Sequence, residues 1–131
     1  MDLLEEQIMT ELAKSQEIGL VFLFGSCATG RQTASSDLDL AIASAQPIST
    51  QTRMDLIDNL ANTVRRPIDL IDMEHAGPVL LKEILTKGKL LYCQNIDLKV
   101  KFITRLWDLE ADFMPSFRQA QRERLEVFSH G

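Results

Sequence analysis

Three aspartates carry the chemistry that this chain makes legible. Asp37 and Asp39 stand two apart in Ser36-Asp37-Leu38-Asp39-Leu40, and Asp69 interrupts the apolar run Ile68-Asp69-Leu70-Ile71. On a strand, a spacing of two turns both carboxylates to one face and sends Leu38 and Leu40 to the other. Two acids on one face of an apolar strand are costly to desolvate unless something positive pairs with them. Arg31 is one candidate partner. A divalent cation is the better one, because Mg²⁺ takes oxygen ligands and binds triphosphates at the same time. If the strand carrying Asp69 lies beside that of Asp37 and Asp39, the three carboxylates converge. Two metal ions about 3.5–4 Å apart would then stabilise both the attacking and the leaving oxygen of a nucleotidyl transfer. In that scheme Asp37 and Asp39 hold metal, and Asp69 completes the site on the acceptor side and takes the hydroxyl proton.

A short polar loop precedes the acids. Gly25 and Gly30 bracket it and permit backbone conformations that a side chain would obstruct. Ser26, with loop N–H groups, can cradle phosphate oxygens as other anion-binding turns do. The loop lacks the Gly-Lys-Ser/Thr ending of a Walker motif. Each fragment alone has an ordinary reading: Asp-x-Asp as a surface pair, Gly-Ser as a turn, Asp69 as a cap or edge residue. Asp72 falls on the opposite strand face from Asp69 and reads as structural. The joint pattern is what points to chemistry.

The elements that must position these residues follow from periodicity. Leu4, Ile8 and Leu12 recur every four residues, which predicts an amphipathic helix over 3–14 with Glu5, Glu6 and Gln7 on its polar side. Leu20 to Phe24 is too apolar to alternate and reads as a strand covered on both faces. A second strand runs from about Asp37 to Ala43. Ser49 or Thr50 caps the next helix, whose stripe is Ile57, Leu60, Ala61 and Val64, with Arg65-Arg66 at its C-terminal end. Pro67 ends that helix and opens the strand Ile68 to Met73. Pro78 starts another helix, buried through Val79, Leu80, Leu81, Ile84 and Leu85, with Gly88 at its end. Leu90-Leu91-Tyr92 is an edge-like strand, and a long helix follows from Asp97, bent at Pro115. A mixed sheet with helices packed against it accommodates this order.

Bulk properties narrow the classes. The 131 residues suit one domain, 45% hydrophobic and 25% charged, as expected of a soluble globular chain. No apolar run approaches the ~20 residues a membrane helix requires, and the start lacks the pattern of a secretory signal. A formal charge of −5 argues against general nucleic-acid binding, which needs a basic footprint, but not against a triphosphate held through metal. Cys27 and Cys93 lack metal-ligand spacing, His75 and His130 have no companion ligands, and free thiols fit a cytoplasmic protein. Near the end, Leu98, Phe102, Ile103, Leu106, Leu109 and Phe113 form a helical stripe that covers the sheet. Trp107 lies off that stripe, and with Phe113 and Phe117 it supplies aromatic anchors suited to a protein interface. Arg118, Arg122 and Arg124 read as a solvated face.

Taken together, Phe22-Leu23-Phe24-Gly25-Ser26, Gly30, Ser36-Asp37-Leu38-Asp39-Leu40 and Pro67-Ile68-Asp69-Leu70-Ile71-Asp72 resemble the DNA polymerase beta superfamily of nucleotidyltransferases. More narrowly, the chain looks like the minimal (MNT) domains, including the MntA-like antitoxins of HEPN/MNT pairs. The resemblance spans roughly residues 18–92. It implies an α+β fold with a mixed four-stranded sheet flanked by helices and a C-terminal helical segment. The minimal domain would occupy residues 1–96, with 97–131 a helical extension packed on it. It further implies that Gly25, Ser26, Gly30, Arg31 and Ser36 bind nucleotide, and that Asp37, Asp39 and Asp69 are the metal-binding and catalytic acids. Two Mg²⁺ ions would serve as cofactors, with ATP as substrate. Many relatives carry a basic residue just before the second loop glycine. Thr29 stands there in this chain, and Arg31 is the candidate replacement for the charge. The resemblance implies transfer of AMP to a tyrosine of a cognate HEPN-domain ribonuclease toxin. Two alternatives stand beside it: neutralisation of the toxin by binding alone, and transfer to a small molecule.

Overall fold

The computed structural model describes residues 2–25 and 37–113. Ser26, Gly30, Arg31, Ser36, Pro115 and Phe117 lie outside the described residues, as do the side chain of Phe113 and the three arginines of the terminal run. Among the described residues the order is α1 (Leu3–Leu12), β1 (Ile18–Phe24), β2 (Leu38–Ser44), α2 (Thr50–Val64) and β3 (Ile68–Asp72). A 3₁₀ turn (Met73–His75), α3 (Pro78–Lys87), β4 (Lys89–Cys93) and α4 (Ile96–Phe113) follow. The four strands form one sheet in the order β3-β2-β1-β4. β1 pairs antiparallel with both β2 and β4, whereas β2 and β3 are parallel. The sheet is therefore mixed, and this is the α+β architecture expected from the element order.

The parallel pair dictates the helix between its strands. Antiparallel neighbours close through a tight hairpin, but parallel ones need a crossover long enough to return the chain to the same end. α2 supplies it. Ser49 caps its start, accepting from the Thr52 N–H, and the buried stripe is Leu56, Leu60 and Val64. Leu56 replaces the expected Ile57 and Ala61, which are only partly covered; the stripe runs at a strict spacing of four, shifted by one residue.

Strand alternation divides the core into two layers. Val21, Leu23, Leu38, Leu40, Ile42 and Leu70 meet Ile8, Leu12, Leu56, Leu60 and Val64 from α1 and α2. Leu20, Phe22, Phe24, Ala41 and Ala43 meet Leu81 and Ile84 of α3 and Leu98, Phe102 and Leu106 of α4. All seven residues of β1 are buried, as its unbroken apolar run predicts for a strand covered on both faces.

Four local expectations are corrected. α1 ends at Leu12, two residues early, and Glu5 lies under the fold rather than on the polar side, its carboxylate accepting from Lys89 on β4. That partner sits 84 residues away, which is why no local pattern reveals it. Val79 is 84% exposed, because Leu81 and Ile84 already fill the side of α3 that meets the sheet. Gly88 closes α3 in an extended rather than a left-handed conformation, where a Cβ would run into the carbonyl of Ile84.

α4 is tied down by polar contacts as well as by its stripe. Glu74 in the 3₁₀ turn accepts from Lys101 at 2.9 Å and from Arg105 at 2.9 Å, and Arg105 also donates to the Glu74 carbonyl. The hydrogen bond from Arg105, then that from Lys101, hold the Glu74 carboxyl below its ordinary 4.5. A carboxylate depressed on folding adds stability that is present above its ordinary pKa and lost as pH falls through the folded one. Glu74 is about half exposed, so screening limits the contribution to about 1 kcal/mol or less. Glu74→Gln should lower Tm at pH 7 by roughly 4 °C or less. In thermal melts, the two proteins should converge as the pH is taken below 4.5.

Candidate active site

The carboxylates gather at the end of the sheet where β2 and β3 begin. The parallel register sets Asp39 directly opposite Asp69. Alternation puts both on the face that carries Ala41 and Ala43, while Leu38, Leu40 and Leu70 turn to the other layer. Asp37 precedes β2 and is exposed, as is Asp69; Asp39 is partly covered. The turn into β3 is laced to the same end by the Leu38 N–H, which donates to the Pro67 carbonyl at 2.9 Å. Asp72 lies on the opposite strand face and caps the 3₁₀ turn through the Glu74 N–H, a structural role.

Asp39 is the electrostatic centre of the group. Burial raises its pKa above the ordinary 3.8, and the charges of Asp69 and Asp37 and a hydrogen bond with Asp69 push it the same way. Like charges brought together in a partly desolvated place favour the uncharged form. A positive charge here would favour the ionised form of all three acids together, and an oxygen-rich pair suits a hard divalent cation. Asp39 and Asp69 are thus brought together, whereas Asp37 acts on Asp39 through its charge. Among the described residues, no three Asp, Glu, His or Cys groups close into a compact ligand cluster.

Gly25 ends β1 beside this group with φ +70°, in the left-handed region that favours glycine. A Cβ there would collide with the Asp39 carboxylate, whose Cγ would lie only 3.2 Å away. The spacing pattern identifies Gly25 as a loop glycine but does not reveal this contact, which depends on Phe24 pairing with Asp39 across the strands.

Two further placements matter. Trp107 stands 66% exposed on α4, away from the buried stripe. Arg65 closes α2 with φ 59° and ψ 40° and is the one non-glycine at positive φ among the described residues. The expectation placed Arg65 at the helix end for its charge. The stronger signal was the missing glycine: a helix stopping just before a proline commonly ends in a left-handed residue, and Gly is its usual occupant.

Residues 6–97 match the family described as Polymerase beta, Nucleotidyltransferase. The chain belongs to this nucleotidyltransferase family. It is 32% identical, over 99 residues, to the protein adenylyltransferase MntA of Shewanella oneidensis, covering 73% of this chain and 71% of the relative. Among solved structures, a toxin–antitoxin crystallised with AMP-PNP superposes with a TM-score of 0.74 at 28% identity, covering 93% of this chain and 98% of the other. The complex of a tri-AMPylated Shewanella oneidensis HEPN toxin with MNT antitoxin gives a TM-score of 0.69 at 25% identity, covering 95% and 97%.

Asp39 sits where burial and like charge oppose ionisation. A carboxyl whose pKa is raised on folding costs stability above its ordinary pKa and regains it as pH falls. Asp39→Asn keeps the shape and removes the charge, so at pH 7 in a chelating buffer it should melt higher than the wild type. An unchanged or lower Tm would show that the acids do not oppose one another in the fold.

Proposed function

We propose that this chain is the antitoxin of a HEPN/MNT pair, an adenylyltransferase that moves AMP from ATP to a tyrosine hydroxyl of its cognate HEPN ribonuclease toxin. The observation that carries the reading is the Asp39–Asp69 pair, set in register at the open end of the sheet beside Gly25. Membership in the nucleotidyltransferase family supports the reaction class. Likeness to a protein adenylyltransferase and to toxin–antitoxin structures, one with AMP-PNP and one with an AMPylated toxin, supports the nucleotide and the acceptor.

In this reading Asp37, Asp39 and Asp69 hold Mg²⁺, two ions being expected. Bound metal supplies charge neutralisation at the triphosphate and at the oxygens entering and leaving phosphorus. The chain's own groups do the rest. Gly25 leaves room for the Asp39 carboxylate and, with Ser26, Gly30, Arg31 and Ser36, forms the proposed triphosphate cradle. The backbone of Asp39 is fixed by the β1–β2 and β2–β3 ladders before any ligand arrives. Asp69, exposed on the edge strand β3, is open to an incoming hydroxyl and accepts its proton at a carboxylate oxygen. The tyrosine oxygen then bonds to the α-phosphorus as pyrophosphate departs.

Partner binding is assigned to α4 and the residues after it. Ile96, Val100 and Trp107 are 61%, 53% and 66% exposed and recur at offsets of four and seven, a second apolar stripe apart from the buried one. Phe113 and Phe117 continue the proposed interface. Among the described residues no helix is long and apolar enough to cross a membrane, in keeping with a proposed cytoplasmic location.

Purified chain, the cognate toxin, Mg²⁺ and labelled ATP should put label on the toxin, and Asp37→Ala with Asp39→Ala should abolish it. Full neutralisation of the toxin by that double variant would favour occlusion over chemistry. Trp107→Ala should weaken toxin affinity about tenfold by calorimetry with an unchanged melt, since the ring is not in the core. Unchanged affinity would remove Trp107 from the interface.

A further inference from the structure

Arg65 occupies a backbone conformation that a bulky residue holds at a cost. Left-handed backbone places the Cβ of an L-residue too close to the next carbonyl, which is why glycine is the common occupant of such caps. Here the N–H of Arg65 donates to the Ala61 carbonyl, so the backbone closes α2 as any cap would. The side chain is exposed and, among the described residues, takes part in no hydrogen bond or ion pair. Its neighbour Arg66, by contrast, is already engaged. Its charge suits the C-terminal end of α2, but nothing in packing or pairing accounts for a bulky residue in this left-handed conformation.

Its place in the fold does offer an account. The Arg65-Arg66-Pro67 turn leads straight into β3, and the Pro67 carbonyl accepts from the N–H of Leu38, which stands between Asp37 and Asp39 in sequence. The turn thus forms the rim of the sheet end that holds Asp37, Asp39 and Asp69. β3 is the outer strand, and Gly25 directly follows β1, which lies two strands away, about 10 Å at ordinary strand spacing. The rim carrying Arg65 is consequently at the outer, β3 edge, remote from the loop glycine; it approaches that edge from the α2 layer, whereas Asp39 and Asp69 occupy the other face, so a protein acceptor meets both by spanning the edge. The acids already present make this end anionic, and a free guanidinium at its outer edge offers the opposite sign.

We propose that Arg65 is an acceptor-recognition residue, whose guanidinium engages an acidic side chain on the protein that receives the nucleotide, close to the modified hydroxyl. This rests on the transfer reading above and adds the chemistry of the acceptor surface. Arginine suits the task because its rigid fork binds carboxylate bidentately. It also explains why the strained cap is kept: strain persists at places where function, rather than stability, selects the residue.

The test sets stability against recognition. Arg65→Gly and Arg65→Asn both tolerate left-handed backbone, so both should fold, and the glycine variant should melt about 2–4 °C higher. With the cognate HEPN toxin as acceptor, KM for toxin should rise about tenfold in both, while KM for ATP stays within about twofold. Arg65→Lys should fall between, and the difference should shrink in high salt. An acidic residue beside the acceptor tyrosine changed to Lys should restore transfer by Arg65→Glu. Unchanged toxin KM in both neutral variants, or a raised KM for ATP instead, would overturn the assignment. If the wild-type chain transfers nothing to the toxin, the function reading fails by itself. Arg65 is then judged by calorimetric affinity for the toxin, which an acceptor contact requires to drop in Arg65→Gly and a merely structural cap leaves unchanged.

Discussion

The parallel pairing of β2 with β3 is the constraint on which the rest of the molecule depends. Among the described residues it is the one parallel ladder, and it brings Asp39 and Asp69 face to face where their charges oppose one another. Because parallel strands cannot be joined by a hairpin, the chain must leave the sheet, run the length of α2 and return at the same end. That return places the turn at Pro67 against Leu38 and sets the register. A slip by one residue would turn Asp69 to the opposite face and bring Leu70 among the acids. The two apolar layers hold the register in place, since Leu38, Leu40 and Leu70 are all buried on the α1–α2 side.

Seen from this ladder, the limits of sequence reasoning have physical causes. The period-two spacing of Asp37 and Asp39 shows in any stretch that forms a strand, and the unbroken apolar run of β1 shows that the strand is covered on both faces. Leu90-Leu91-Tyr92 reads as edge-like, and β4 is an outer strand of the sheet. Asp69 could be singled out as an acid in an apolar run, but its position opposite Asp39 is a long-range register that no local pattern contains. Glu5 and Lys89 show the same limit more sharply. Glu5 sits in the first turn of an amphipathic helix and reads as a solvated acid, yet it is buried because β4 brings a lysine over it. Val79 shows the converse: an apolar residue at a helix start reads as core, yet it stands exposed while Leu81 and Ile84 are the residues of α3 fully buried against the sheet.

Three positions give up stability in ways that local rules expose. Asp39 opposes its neighbours' charges, Gly25 holds a positive φ where the Asp39 carboxylate leaves no room for a side chain, and Arg65 sits in a glycine's conformation. A sequence agrees with its fold at every level except where function intervenes. All three exceptions lie at one end of the sheet, and the other described helix ends have more ordinary caps: Asp2 and Ser49 accept from backbone N–H groups, and Pro78 opens α3. That concentration supports the site as strongly as the identity of the acids does.

The division of labour between backbone and side chain then follows. Asp39 is set within two ladders and Asp69 within one, so their geometry is fixed before any ligand arrives, and their chemistry cannot easily adapt to one acceptor or another. Discrimination falls to side chains that have no duty in the fold. Among the described residues, Arg65 has no side-chain partner and Trp107 is largely uncovered. Replacing either leaves both ladders and both apolar layers untouched. A rigid acidic centre with adaptable residues around it lets one fold keep its chemistry while its protein partner changes, because the residues that recognise are not those that hold the sheet together.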